Sequence, residues 1–307
     1  MQLMVTGASG FIGRNVLLRA PREWAITALY HRTPLQSFIE QHGLAHVRAV
    51  QCDLTDPQSV AAAAQTAGRV DAVLYLAANG DPALSATAAG LDLALNTAAF
   101  VSFLEHVRAG HVVYLSSGAV YDGLRGAVSP ATPVSPRLPY AISKLASEQY
   151  LRFFCERRAT VDSFINVRFF GAYGPYEAAR KITTRWLSAV AAGQREFVIR
   201  GNGENLIDFM YIDDAVDGLL KMAAAAGERL TVDFASGTPV TINQVVQAMA
   251  DACGVDVRIR HEGHVEEYIE FRSVDRTVAD RFSFAPAVSL TEGLTRLRHH
   301  LAAPANA

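Results

Sequence analysis

Fourteen residues near the start of the chain constrain its fold more than any other stretch: Leu3-Met4-Val5-Thr6-Gly7-Ala8-Ser9-Gly10-Phe11-Ile12-Gly13-Arg14-Asn15-Val16. Leu3 to Val5 reads as a short buried strand, and Val16-Leu17-Leu18 opens a helix. Gly7, Gly10 and Gly13 fill the turn between them. Strand, glycine turn and helix in that order make a phosphate cradle. Glycine lets the backbone turn sharply and approach an anion, and the helix N-terminus offers unpaired N–H groups and a positive dipole end. The spacing is G-x-x-G-x-x-G, not G-x-G-x-x-G. Taken alone, the triplet also reads as a tight strand-to-helix turn with no ligand.

The following pattern repeats strand and helix. Apolar runs at Trp24–Tyr30, Val47–Gln51, Asp71–Leu76, His111–Leu115 and Asp162–Arg168 read as strands. Helix-like segments lie between them at Pro57–Thr66, at about Ala83–His106 and at Tyr140–Arg158. Apolar strands alternating with helices imply a parallel sheet covered on both faces, an α/β doubly wound architecture. Past Gly174-Pro175 the rhythm turns mixed. A helix at Thr183–Ala192, a strand at Asp208–Tyr211, a helix from Asp213, Thr231–Phe234, a helix from Thr241 and a last helix at Thr291–Leu301 predict a smaller C-terminal mixed α/β lobe. The division expected is residues 1–172 and 173–307, with a soft boundary where the lobes interleave.

Charge and length narrow the partners. A net charge of −2 over 307 residues argues against a nucleic-acid or anionic-membrane surface. No apolar run approaches the roughly 18 residues of a membrane span. The N-terminus runs straight into a strand, which predicts no targeting leader and a cytoplasmic protein. Cys52, Cys155 and Cys253 are too few and too scattered for a disulfide framework or a zinc site. His261-x-x-His264 lacks a third ligand at useful spacing, so no metal is expected.

The chemistry gathers at two stretches, Leu115-Ser116-Ser117-Gly118-Ala119-Val120-Tyr121 and Pro139-Tyr140-Ala141-Ile142-Ser143-Lys144. Tyr140 and Lys144 are four apart and share a helix face. A lysine ammonium beside a phenol is expected to lower its pKa from about 10 and fit it for proton transfer. Ser117, at a strand end, is placed to hydrogen-bond a substrate oxygen. Lysine occurs only at 144, 181 and 221, while arginine supplies the remaining basic residues, so Lys144 is a candidate for a specific task.

Thr6-Gly7-Ala8-Ser9-Gly10-Phe11-Ile12-Gly13 closely resembles the opening of the extended short-chain dehydrogenase/reductase family, many of whose members epimerise, dehydrate or reduce nucleotide-activated sugars. Ser117, Tyr140 and Lys144 match that family's catalytic Ser/Thr, Tyr and Lys in order and approximate spacing. The resemblance implies a Rossmann sheet. It makes Gly7, Gly10, Phe11, Ile12 and Gly13 cofactor contacts, together with Tyr140 and Lys144. It also implies an adenine-edge role for Asp53-Leu54, a cofactor-facing segment at Leu76-Ala77-Ala78, and a bracing role for Asn96. Asp53 reads equally as a helix cap, and Asn96 as part of a polar helix face.

Cofactor choice turns on the end of the second strand. NAD-specific sites carry an acid there, roughly 20 residues past the glycines. This chain has His31-Arg32-Thr33, and an arginine suits a 2′-phosphate, so NADP(H) is expected over NAD(H), with Arg14 assisting. The alternative is that Arg32 is a solvated loop residue.

The resemblance continues through Val167–Pro175, Gly201–Asp214 and Leu290–Leu294. It departs where sugar-nucleotide members carry Asn and Arg, since this chain has Gly171 and Ile207. A second arginine is replaced by His261-Glu262-Gly263-His264, leaving Arg180, Lys181, Arg185 or Arg200 to grip a diphosphate. The family's 4,6-dehydratases place Asp-Glu directly after the catalytic Ser/Thr, whereas here those positions are Gly118 and Ala119.

The expected function is an NADPH-dependent 4-keto-sugar reductase acting on a nucleotide sugar. Alternatives are a nucleotide-sugar epimerase, a reductase of a non-nucleotide carbonyl, and a nucleotide-sensing regulator, whose relatives typically lose the Tyr/Lys pair. A homodimer is expected from apolar residues on the helices at 83–106 and 140–158, including Phe100, Phe103, Leu151 and Phe154.

Overall fold

Seven strands pair in parallel into one sheet: β1 (Gln2–Thr6), β2 (Ala25–Tyr30), β3 (Val47–Gln51), β4 (Val70–Tyr75), β5 (Ala109–Ser117), β7 (Val161–Phe169) and β12 (Arg229–Phe234). Their order is β12-β7-β5-β4-β1-β2-β3 in the computed structural model, which describes residues 1–265 and 269–303. The expected second lobe therefore includes a few residues, 266–268 and 304–307, outside the described ones.

The chain leaves β1 toward β2 and β3, then returns to add β4 on the other side. That reversal opens a crevice beyond the carboxyl ends of β1 and β4, the place where doubly wound sheets bind ligands. Period-two alternation settles which side chain faces which layer. Leu3 and Val5 join one buried cluster with Val16 and Leu17 of α1 (Phe11–Arg19) and Val216 and Leu219 of α9 (Ile212–Ala224). Met4 points the opposite way, into a cluster with Phe100 and Phe103 of α6 (Ala99–His106). Phe100 stacks on Tyr114 at 4.4 Å between centroids, a contact contributing about 0.5–1.5 kcal/mol beyond its buried area.

Several elements differ from the sequence-based expectation. Thr231–Phe234, expected in the second lobe, lies in β12, the edge strand of the main sheet beside β7. Asp208–Tyr211 is not one strand: Leu206–Ile207 (β10) and Met210–Tyr211 (β11) pair with different partners. Asp208 between them accepts from the N–H groups of Ser236 and Gly237, so its side chain ties a loop instead of continuing a ladder. The helix expected over 83–106 is four pieces: α4 (Pro82–Thr87), α5 (Ala89–Leu93), a π-helical turn at Ala94–Ala98, and α6. Ala88, at φ −138° and ψ 59°, breaks the first join. The helix α7 (Pro139–Phe153) likewise ends in a π-helical turn, Phe154–Arg158.

Phe100, Phe103, Leu151 and Phe154 are interior residues of the second cluster and not a surface for a twin subunit. The large apolar side chains left exposed on these helices are Leu84, Leu91, Leu93, Ile142, Tyr150 and Phe153.

In the second lobe, α8 (Ile182–Ala191), α10 (Ile242–Cys253) and α12 (Leu290–Ala302) pack on one another, beside the pair β9 (Glu196–Arg200) and β14 (Arg258–Glu262). Helix α10 starts at a capping box in which Thr241 and Gln244 satisfy each other's backbone N–H. Among the described residues no helix is long and apolar enough to cross a membrane.

Candidate active site

The glycine turn meets the end of β4 directly. Gly7 adopts φ +63°, and a Cβ there would come within 3.0 Å of the Ala77 nitrogen. Thr6 Oγ1 accepts from the N–H groups of Leu76 and Ala77, both at 3.1 Å, binding the two strand ends together. A Cβ on Gly13 would lie 2.4 Å from the Gly7 carbonyl oxygen, so only glycine lets α1 start this close to the loop. Gly10 is exposed, and a Cβ there would meet only the Gly7 oxygen, at 3.2 Å. Among the described residues no side chain caps α1, which leaves its first N–H groups, at Phe11 and Ile12, without an internal partner there. This bare, uncapped cradle fits the pyrophosphate of a dinucleotide.

At the rim beyond β2 and β3, Asp53 accepts from the Thr55 N–H and hydroxyl, and these bonds hold its carboxyl below the usual range. His31 Nε2 lies 3.5 Å from the other carboxylate oxygen. The helix α3 (Pro57–Ala67) is capped by Asp56, so the capping reading of Asp53 does not hold. Leu54 packs at the edge of the buried cluster beneath. Arg32 is exposed and makes no side-chain hydrogen bond or ion pair with the described residues, while its charge acts on Asp53. Arg14, expected to assist it, is held by two aromatic rings and a loop carbonyl. Its guanidinium lies 5.2 Å from the Phe38 ring centroid and 5.5 Å from that of Tyr176, and Nε donates to the Ser9 carbonyl. Two aromatic faces hold the cation more firmly than open solvent would.

Ser117, Tyr140 and Lys144 come together where β5 ends and α7 begins. Pro139 in the first turn of α7 sets the helix start one residue ahead of Tyr140. Ser117 Oγ accepts from the Ala119 N–H at 3.1 Å and is a hydrogen-bond partner of the Tyr140 phenol. Lys144 is buried, donates to the Leu115 carbonyl at 2.8 Å, and lies 5.9 Å from the Tyr140 ring centroid. The expected lowering of the phenol pKa is absent from this state. Burial raises Tyr140 above its ordinary value; the Ser117 hydroxyl pulls it down and the charge of Asp92 pushes it up. Burial also lowers Lys144 to about 8, opposed by Asp92 and Glu148. A phenol is protonated at neutral pH even at its ordinary value of about 10, and desolvation makes it the weaker acid.

Asn96, in the π-helical turn, is buried. Its Oδ1 accepts from the Asn79 N–H at 2.7 Å, and its Nδ2 donates to Asp92 Oδ1 at 2.8 Å. Its carbonyl accepts from the Ser147 hydroxyl, which ties the turn to α7. It is therefore not part of a solvated face.

Sequence reasoning passed over a buried polar network behind the triad. Glu148, one turn after Lys144, pairs with Arg168 at 3.0 Å and accepts from the Ser116 hydroxyl at 2.5 Å. Arg168 also donates to the Tyr121 hydroxyl, which donates to Asp233. Burial raises Asp233 to about 6. An arginine inside the apolar run Ile165–Phe169 was the available signal, since a charge there needs a buried partner. Asp92, in a run of alanine and leucine, was another.

The groups expected to grip a diphosphate have different partners. Arg180 lies 3.7 Å from Asp81, Arg200 donates to the His264 carbonyl, Arg185 lies against Trp186, and Lys181 is exposed. His261 Nε2 meets Asn243 Oδ1 at 2.9 Å. No group of three or more metal-ligating side chains gathers among the described residues. A cavity of about 310 Å³ lined by Tyr173, Phe209, Tyr211 and Val288 belongs to the second lobe and includes none of the triad.

Residues 3–232 match the model of the NAD dependent epimerase/dehydratase family. A dTDP-glucose 4,6-dehydratase of Mycobacterium tuberculosis (strain CDC 1551 / Oshkosh) is 31% identical over 229 residues. That match covers 70% of this chain and 66% of the relative, just under two thirds of its length. A UDP-glucose 4-epimerase of Mycolicibacterium smegmatis is 25% identical over 308 residues, covering 96% of this chain and 97% of that one. The solved structure of MoeE5 in complex with UDP-glucose and NAD superposes with a TM-score of 0.84 at 25% identity, covering 98% of both chains.

Proposed function

Because the chain belongs to the NAD-dependent epimerase/dehydratase family, we propose that it is an oxidoreductase acting on the carbonyl/hydroxyl pair of a nucleotide-activated sugar, in the direction of 4-keto-sugar reduction. The observation that carries this reading is the Ser117–Tyr140–Lys144 arrangement, in which the Ser117 hydroxyl bonds the Tyr140 phenol and the Lys144 ammonium lies 5.9 Å from its ring centroid. The cradle of Gly7, Gly10 and Gly13, the N–H groups of Phe11 and Ile12, Asp53-Leu54 and the segment Leu76–Ala78 would hold the dinucleotide. When bound, the nicotinamide supplies hydride to the sugar carbon or takes it away. Tyr140 gives its proton to the carbonyl oxygen, Ser117 orients that oxygen by a hydrogen bond, and Lys144 stabilises the phenolate left behind. Arg32, exposed beside Asp53, supports NADPH as the cofactor that feeds the reducing direction. Gly118 and Ala119 offer no side chain for an elimination, which disfavours dehydration.

The full-length match to a UDP-glucose 4-epimerase favours a second reading, in which the same half-reaction runs out and back on one sugar. The second lobe, residues 173–307 with β12 lent to the sheet, is the part assigned to the nucleotide. A two-fold dimer through the exposed Leu91, Leu93, Ile142, Tyr150 and Phe153 completes the proposal. The test is incubation with UDP-, GDP-, CDP- and dTDP-linked sugars and their 4-keto forms, with NADPH or NADH. Net loss of reduced cofactor supports the reductase. Epimer exchange with no net redox change supports the epimerase. Failure of every nucleotide sugar to bind would sink both and leave a non-nucleotide carbonyl substrate.

A further inference from the structure

Two carboxylates act on Lys144, and their surroundings differ. Glu148, on the same helix, is neutralised: Arg168 of β7 holds both its oxygens, at 3.2 and 3.0 Å. Asp92, on α5, is fully buried and has no ion pair among the described residues. Its Oδ1 accepts from the side-chain amides of Asn79 at 2.9 Å and Asn96 at 2.8 Å, both neutral, and its Oδ2 has no hydrogen-bond partner among the described residues. Helix α5 packs on α7, and the adjoining π-helical turn is bonded to it beside Lys144, Thr97 Oγ1 donating to the Ser143 carbonyl at 2.9 Å. The remaining groups facing Lys144 are Tyr140 on its own helix and the Tyr114 ring of β5, 5.0 Å from the ammonium; both are neutral when protonated.

We propose that Asp92 is a positioning residue: it supplies the uncompensated negative charge that keeps Lys144 an ammonium beside Tyr140. The inference rests on reading Tyr140 and Lys144 as the reacting pair. A buried carboxylate with one bare oxygen is costly unless a cation answers it, and Lys144 is the cation whose charged form it favours. Burial alone drives a lysine toward the neutral amine, and a neutral amine stabilises a phenolate poorly. Asn79 and Asn96 orient the Asp92 carboxylate without discharging it.

The chain's lysine content makes the test direct, because lysine labelled with ¹³C at Cε gives three signals. Lys181→Arg and Lys221→Arg assign the other two. The Lys144 midpoint of the wild-type protein is expected near 8. In Asp92→Asn it should fall by about one unit, a tenfold change in the protonation equilibrium, while Asp92→Glu should restore it. An unmoved or raised midpoint in Asp92→Asn would overturn the inference. If Asp92→Asn does not fold, the wild-type titration decides alone. A midpoint of roughly 5–6, that of a buried lysine with no anion beside it, overturns the inference; one near 8 supports it. No turnover is measured, so failure of the proposed sugar chemistry leaves this result standing, and failure here leaves that chemistry open to its own assay.

Discussion

The proposed catalytic end of the site and its proposed substrate end are built on different physical terms. At the catalytic end, the groups that support the triad are buried and bonded to fixed partners. Lys144 is fastened to a β5 carbonyl, Asn96 to the backbone of Asn79, and Glu148 to Arg168. At the substrate end, the charged side chains are exposed and joined in surface pairs such as Arg180–Asp81, or donate to loop carbonyls as Arg200 does. Exposed pairs contribute about 0–1 kcal/mol and rearrange readily; breaking a buried pair costs about 3–5 kcal/mol. The catalytic end is therefore set before any ligand arrives, while the substrate end is free to regroup around one. That difference explains why the proposed proton-transfer pair is easier to read from this molecule than the sugar.

Breaking the rigid end should have the largest effect. Tyr140→Phe removes one hydroxyl from an otherwise intact helix face, and single-turnover hydride transfer should slow by about 10²–10⁴-fold. Cofactor dissociation constants should move far less, and near-normal transfer would place the chemistry elsewhere. Gly13→Ala tests the cradle. Its methyl would meet the Gly7 oxygen and the Ala8 backbone, neither of which is a flexible side-chain end. Displacing them should cost about 1–3 kcal/mol, visible as a lower melting temperature and weaker cofactor binding by isothermal titration.

Arg32→Ala sharpens the comparison at the border between rigid and exposed groups. NADPH affinity should weaken by roughly 1.5–3 kcal/mol, the scale of a charge-assisted contact, with NADH affinity nearly unchanged. Equal losses would mean that Arg32 does not read a 2′-phosphate. Arg180→Ala, at the exposed end, should change stability by no more than about 1 kcal/mol. If Arg180 leaves Asp81 to hold substrate phosphate, KM should rise with kcat nearly constant. An unchanged KM would assign the grip to another residue.

Much of the first lobe was legible because its signals are local. A glycine triplet between strand and helix, or a tyrosine four residues before a lysine, is a short-range pattern that one helix or one turn converts into geometry. Non-local pairing was harder to read. Thr231–Phe234 carries nothing to say that it pairs with β7 and not with a neighbour in the second lobe, since a parallel strand finds its partner across a long crossover. The apolar faces of Phe100, Phe103, Leu151 and Phe154 read alike for a core and for a subunit interface. Only the position of the sheet showed them to be core.

The amino-acid order alone determined the parallel α/β plan, the phosphate cradle and the spacing of Tyr140 and Lys144, because each follows from backbone periodicity and the special geometry of glycine. The tertiary structure decided which charges face one another. Asp92 lies 52 residues from Lys144 in the sequence, Arg168 lies 20 from Glu148, and Arg14 reaches Tyr176 across the fold. Burial then shifted the proton affinities, raising that of the Tyr140 phenol above its ordinary value and lowering Lys144 to about 8. Desolvation and charge pairing depend on distance in space, and distance along the chain does not carry that information.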